Sequence, residues 1–201
     1  MSEDSGGPAE EQASEVRHRT ANTLQLLATL ARMRGQKASD AEVRRQMIWM
    51  AEAIGALGSL ERRRTPEGID FSGYIEEMAP VWRRRQAGDA VNVVIRVDPM
   101  HVRDQAASTL ALIVNEMVAN ALTHGLRGAA VRQIEIELTH SDGMGRLCIT
   151  DGGPGLGAAG ENVRERFGLW LARSLATQVR GELALLPVPG GGLTAQLIFP
   201  L

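Results

Sequence analysis

Aromatic side chains are scarce: three tryptophans, three phenylalanines and one tyrosine make up 3% of 201 residues. A core must therefore come from Leu, Ile, Val, Ala and Met, and a hydrophobic share of 44% can supply one. Cysteine is nearly absent. Cys148 is the only one, which excludes an intramolecular disulfide and makes a reducing cytoplasm the expected compartment. It sits in the apolar run 147–149, the setting of a buried strand residue rather than a reactive thiol. An excess of one charge is lacking too. A net charge of −2 and a pI near 6.1 give no electrostatic case for nucleic-acid binding. The arginines at 62–64 and 83–85 read as solvated helix ends. No stretch approaches the roughly 18 apolar residues of a membrane span. The N-terminus, M-S-E-D-S-G-G-P-A-E-E, has no apolar segment. It reads as a short disordered tail over 1–12, not a signal peptide.

What is present divides into two units. The first, 13–64, has the pattern of a helical hairpin. Val16, Leu24, Leu27 and Ala31 fall on one stripe, and Leu26, Leu30 and Met33 on the next, a wide apolar face at the 3.6-residue period. Gly35 is expected to end this helix. Ser39 and Glu42 form a capping-box pattern that starts the second helix, in which Val43, Met47, Met50, Ile54 and Leu57 recur at helical spacing. Two helices cannot bury so wide a face alone, so pairing into a four-helix homodimer is expected. Packing against the rest of the same chain is the alternative.

The stretch 62–68, with Pro66 and Gly68, is a polar break. After it, 71–85, 104–123 and 163–179 read as helices. Strands are expected at 91–97, 131–138, 147–150, 182–186 and 193–199. The second unit, 69–201, is thus an α/β sandwich with a mixed sheet, large enough for its own core. The whole chain is of the α+β class.

On the first helix, His18, Asn22, Gln25 and Thr29 share a polar stripe at i, i+4, i+7 and i+11, beside the apolar one. His18 should be reachable by a partner. A neutral imidazole keeps one lone pair and can attack phosphorus. Glu15 or Asn22 is placed to orient the ring. Taken alone, an exposed helical histidine more often has no role. His101, His124 and His140 show no metal-ligand spacing, so zinc is not expected.

In the second unit, Glu116 and Asn120 are four apart on one helix and point the same way, with Asn115 alongside. An amide oxygen is a hard ligand suited to Mg²⁺, and a carboxylate one turn earlier can hold a metal-bound water or take a proton. Asp151 ends the strand L-C-I-T and precedes G-G-P-G. A carboxylate there can accept from the amine of an adenine, while Gly153 and Gly155 let the backbone come close to a ligand. Gly157 and Gly160 extend the loop into a lid over 158–166. Gly168 opens a helix whose free N–H groups favour phosphate.

These motifs resemble a known family. H-R-x-x-N-x-L-Q, N-E-M-V-A-N-A-L-T-H, D-G-G-P-G-L, F-G-L-W-L and G-G-L-T-A-Q-L-I-F-P-L follow the order of the conserved boxes of sensor histidine kinases. The His-Arg pair, His124 and the short lid look most like the HWE-type subclass. The resemblance implies a dimerisation and phosphoacceptor hairpin followed by a Bergerat-fold ATPase domain of the GHKL group. It implies His18 as phosphoacceptor, Asn120 on Mg²⁺ and Glu116 assisting at the metal or water. Asp151 would bind adenine, Gly153 and Gly155 would shape the pocket, and Asn115, His124 and Gly168 would line the nucleotide. ATP and Mg²⁺ are the implied cofactors, and a response-regulator receiver domain the implied partner.

Thr123 stands where many relatives have a lysine, and Ala21 likewise. Arg19 stands where other subclasses place an acid. Only about 14 residues precede the histidine motif, so sensing through a separate protein is expected unless the chain is a fragment. Two alternatives stay open at this point. One is a phosphorelay adaptor with a vestigial nucleotide pocket. The other is a GHKL serine kinase of the anti-sigma-factor type, which would need neither hairpin nor His18.

Overall fold

The computed structural model describes residues 8–84, 91–126, 132–155 and 167–201. Two compact units divide the chain, Met1–Arg64 and Thr65–Leu201. The first is a pair of long helices, α1 (Pro8–Lys37) and α2 (Ala41–Glu61). Helix α1 begins earlier than the pattern indicated. Pro8 suits the first helical position because its missing N–H needs no partner there. Residues 8–12 are therefore helical rather than tail, and 1–7 lie outside the described residues.

Small side chains form the seam between the two helices. Ala21, Ala28 and Gly35, each seven residues apart, are buried on α1, and Ala51, Ala56, Gly58 and Ser59 on α2. A Cβ at Gly35 would lie 3.0 Å from Met47 Cβ, and one at Gly58 3.4 Å from Leu24 Cβ. Gly35 thus does not end the helix, contrary to expectation. It lets the second helix pass close by, and α1 runs on to Lys37. The cap moves with it. Asp40, not Ser39, caps α2, its Oδ1 accepting from the N–H groups of Glu42 at 2.7 Å and Val43 at 2.9 Å. Those two bonds hold the Asp40 carboxyl below its usual range, Val43 contributing most.

The wide apolar face points outward within this unit. Val16, Leu26, Leu27, Leu30 and Met33 on α1 and Val43 and Met50 on α2 are all exposed, Leu26 at 60% and Leu30 at 50%.

The second unit opens with a small sheet of β1 (Arg64–Thr65), β2 (Gly68–Asp70) and β4 (His101–Val102), in the order β1-β2-β4. These strands were too short to read from alternation. The polar break at 66–68 is a tight turn between two of them. Gly68 has φ 123°, and a Cβ there would sit 2.6 Å from the Val102 carbonyl oxygen. Asp70 then caps α3 (Phe71–Arg83) by accepting from Gly73 N–H at 2.9 Å. Helix α3 buries Phe71, Tyr74, Ile75, Met78 and Trp82, three of the seven aromatic residues among them.

The main sheet joins β3 (Asn92–Val97), β5 (Gln133–Ser141), β6 (Met144–Asp151), β7 (Glu182–Pro187) and β8 (Leu193–Pro200) in the order β3-β5-β6-β8-β7. The β3–β5 pair is parallel and the others antiparallel, the mixed sheet expected. Period-two alternation sets its inner face. Ile134, Ile136 and Leu138 are buried while Gln133, Glu135 and Glu137 are not. Ile136 lies opposite Ile149, and Leu138 opposite Leu147, which in turn faces Leu197.

Helix α4 (Asp104–Asn120) contributes Leu110, Ala111, Ile113, Val114 and Val118 to the core and packs on α5 (Phe167–Gln178). By length and composition alone, Asp104–Thr123 is apolar enough to span a membrane, though polar residues interrupt it throughout. It is 61% buried inside the fold, as a core helix is. The helix does not continue regularly to residue 123. Ala121–Gly125 is a π-helical turn, with Leu126 N–H bonding Ala121 C=O at 3.2 Å. Cys148 is buried on β6, and Gln196 Nε2 donates to its sulfur at 3.6 Å.

Candidate functional site

Asp151 is the last residue of β6 and is only 7% exposed. Three stretches of backbone close around it. Gly153 donates its N–H to Asp151 Oδ1 at 3.0 Å. A Cβ at Gly125 would overlap the Asp151 carboxylate, and one at Gly192 would overlap the Asp151 carbonyl oxygen. A Cβ at Gly153 would overlap the Gly125 carbonyl oxygen. Only glycines let these strands of backbone meet. Gly155 has φ 70°, and a Cβ there would come within 2.9 Å of Gly192 O.

Burial pushes the Asp151 carboxyl above its usual range, and the N–H groups of Gly153 and Leu193 pull it partly back. A desolvated carboxylate with oxygens to spare is an acceptor for a neutral amine. No basic side chain is among the causes of its shift.

A second cluster forms at the start of α5. A Cβ at Gly168 would lie 2.5 Å from Glu116 Oε2 and 3.8 Å from Asn120 Nδ2. The Glu116 and Asn120 side chains therefore both reach the first turn of α5, as their i, i+4 spacing indicated. Glu116 is only 6% exposed. Asn115, about 100° round the helix, is buried at 1% exposure. Thr123 is exposed. The His124 side chain and the 158–166 lid lie outside the described residues.

The residues present suit a magnesium nucleotide. An amide and a carboxylate sit together at a helix N-terminus, a hard donor set beside N–H groups that favour phosphate. Gly125, Gly153 and Gly168 let backbone pass against Asp151, Gly125 and Glu116 where a side chain would collide. Among the described residues, no group of three His, Cys, Asp or Glu side chains could hold a metal without such a ligand.

In the first unit His18 is exposed on α1, and so are Asn22, Gln25 and Thr29. Glu15 does not face an unengaged partner: its Oε1 takes Arg19 Nη2 at 2.6 Å. Thr29 Oγ1 donates to Gln25 C=O at 2.9 Å.

The sequence profile of the histidine kinase-like ATPase domain matches residues 83–186, just over half of the chain. The chain belongs to this family. Its curated relatives are sensor histidine kinases. PdtaS of Mycolicibacterium smegmatis is 24% identical over 194 residues, which cover 93% of this chain and 39% of PdtaS. Blue-light-activated histidine kinase 2 of Erythrobacter litoralis is 24% identical over 155 residues, 72% of this chain and 44% of that protein. The chain thus spans about two fifths of the length of the curated relatives it matches.

Among solved structures, the histidine kinase domain of the Erythrobacter litoralis EL346 blue-light activated kinase superposes with a TM-score of 0.70 at 20% identity. That match covers 95% of this chain and 94% of that one. Full-length ShkA in complex with AMPPNP gives 0.55 at 18% identity, over 94% and 45%. These likenesses establish the shared fold, helices followed by a mixed-sheet ATPase domain.

Sequence reading missed two residues of the Asp151 surround in this histidine kinase-like domain. Gly192 was quoted only as part of the terminal motif, though the run Gly190 to Gly192 marks a turn. Gly125 lies just beyond the helix expected over 104–123 and carried no reading of its own.

Proposed function

We propose that this chain is the core of an ATP-dependent protein-histidine kinase of a two-component system. The observation that carries the proposal is the buried Asp151, set among the backbones of Gly125, Gly153 and Gly192, in the same unit where Glu116 and Asn120 converge on Gly168. One end of that unit offers an acceptor for a base amine. Another offers a metal and phosphate site.

In this reading Asp151 accepts from the adenine amine, Gly153 and Gly155 shape the base pocket, and Gly168 faces the phosphates. Asn120 would hold Mg²⁺, Glu116 would assist at the metal or water, and Asn115 and His124 would line the nucleotide. A bound Mg²⁺ would neutralise charge developing on the phosphates. His18, of the same or the partner chain, attacks the γ-phosphorus through its unprotonated ring nitrogen. An N–P bond forms, the bond to the bridging oxygen breaks, ADP leaves, and the ring proton passes to water. Exposure on α1 allows this approach. Glu15, engaged by Arg19, is not the base in this reading. The phosphoryl group then passes to an aspartate of a receiver domain docked along His18, Asn22 and Gln25. The exposed apolar face of α1 and α2 pairs with a second copy, making the hairpin at 13–64 the dimerisation domain and 69–201 the catalytic one. The protein works in the cytoplasm and takes its signal from a separate sensor or from further chain.

One observation favours a second reading. Thr123 removes a cation one turn beyond Asn120, as expected of a phosphotransferase that has lost its use for ATP. Equilibrium titration separates the two. The kinase reading predicts ADP binding in the micromolar to sub-millimolar range, weakened about 10-fold or more by removing Mg²⁺. No binding at millimolar ADP, with His18-dependent uptake from a phosphorylated receiver domain, would establish the adaptor instead.

A further inference from the structure

One residue packed against Asp151 comes from the turn that follows α4. That residue is Gly125, and it arrives there through an irregularity. Helix α4 is regular through Asn120, which keeps Asn120 directly above Glu116. The next turn is π-helical, closed by the i to i+5 bond from Leu126 N–H to Ala121 C=O. One extra residue per turn widens the helix and carries its end round toward β6, with which the turn is in contact. Ala121, Leu122 and Leu126 are buried and anchor the widened turn.

Gly125 then lies flat against the carboxylate. A Cβ there would overlap Asp151 Cγ and Oδ2 and would approach Asp151 Cβ to 2.7 Å. Its carbonyl oxygen lies so near Gly153 that a Cβ at Gly153 would overlap it. Gly153 in turn donates to Asp151 Oδ1. The carboxylate is clasped between one glycine that bonds it and another that walls it.

We infer that Gly125, delivered by the π-helical turn, is a positioning residue that aims the Asp151 carboxylate and so sets selection for an amine-bearing base. It touches no reacting atom and acts through Asp151. The inference rests on the nucleotide reading above.

The test is binding of ADP and of purine riboside 5′-diphosphate, which lacks the base amine, to the full chain. Wild type should prefer ADP by roughly 10- to 100-fold, the value of a hydrogen bond to a charged acceptor. Gly125→Ala should reduce that preference to about 3-fold or less, leaving affinity for the amine-less analogue within about 2-fold. Parallel loss of both affinities would make Gly125 merely structural and overturn the inference, as would an unchanged preference. If wild type binds ADP without any preference that depends on Asp151, the nucleotide reading itself fails.

Should Gly125→Ala not fold, the contact is read in an Asp151→Gly background. There the alanine has room, and adding Gly125→Ala should shift Tm by no more than about 1 °C. A large drop in that background would show that residue 125 is constrained by something other than Asp151.

Discussion

Asp151→Asn is expected to cost adenine-nucleotide affinity roughly 10- to 100-fold and to make the domain more stable. Both effects follow from one buried carboxylate. In the folded chain burial raises its pKa above the ordinary carboxyl value. A group shifted in this direction contributes most to stability when protonated, below its unfolded pKa. That contribution is lost as the pH rises through the folded value. Above that raised value the ionised Asp151 opposes folding, and a neutral amide of the same shape relieves this. The Tm should rise by about 2–4 °C, as for many substitutions at sites kept for function. Asparagine keeps one acceptor for the Gly153 N–H but presents an NH₂ where the second carboxylate oxygen was, which opposes a base amine.

The same titration sets the pH dependence of binding. An amine donor prefers the ionised acid, so wild-type affinity should fall as the pH drops through the raised Asp151 pKa. Asp151→Asn should flatten that dependence. Thermal melts and ADP titrations at a series of pH values check both halves. A variant that is less stable, yet binds ADP normally, would remove Asp151 from the site.

The second large effect concerns the hairpin. If the hairpin pairs as proposed, Leu26→Glu with Leu30→Glu should leave the 21.7 kDa chains monomeric where wild type is dimeric. Both leucines stand at least half exposed in the isolated unit, beside exposed Met33 and Leu27. Burying each one against a second copy is worth about 1.5–3 kcal/mol, and twofold symmetry counts every position twice. The dissociation constant should therefore rise more than 100-fold. Sedimentation equilibrium reads this directly. Because both side chains lie off the Ala21, Ala28 and Gly35 seam, helicity should survive. A dimer that persists unchanged would place the interface elsewhere, and a wild-type monomer would remove the four-helix bundle.

Regular elements and short motifs were legible in the sequence for different reasons. Alternation in β5 and the periodicity of α3 and α4 report burial directly. D-G-G-P-G announces a backbone brought close to something, and Glu116 with Asn120 announces a shared helix face. Glycines were harder, because one residue type serves opposite purposes. Gly35 looks like a helix stop but is a packing contact with Met47. Gly68 looks like a linker residue but turns between two strands too short to alternate. Gly125 lies just beyond the helix expected over 104–123. Its role depends on a π-helical turn that hydrophobic periodicity does not register, since Ala121, Leu122 and Leu126 satisfy an α-helical pattern too. Asp40 rather than Ser39 caps α2 because its Oδ1 reaches the N–H groups of both Glu42 and Val43. What one sequence leaves out is the distance between segments that meet only in the fold, such as Gly125, Asp151 and Gly192.

The most direct test of the kinase reading is incubation of the full chain with γ-labelled ATP and Mg²⁺, with His18→Ala and Asp151→Asn run alongside. The account predicts acid-labile label on wild type, mapped to His18, absent from His18→Ala and strongly reduced in Asp151→Asn. An unlabelled wild type that still accepts phosphoryl groups at His18 from a phosphorylated receiver domain would contradict it.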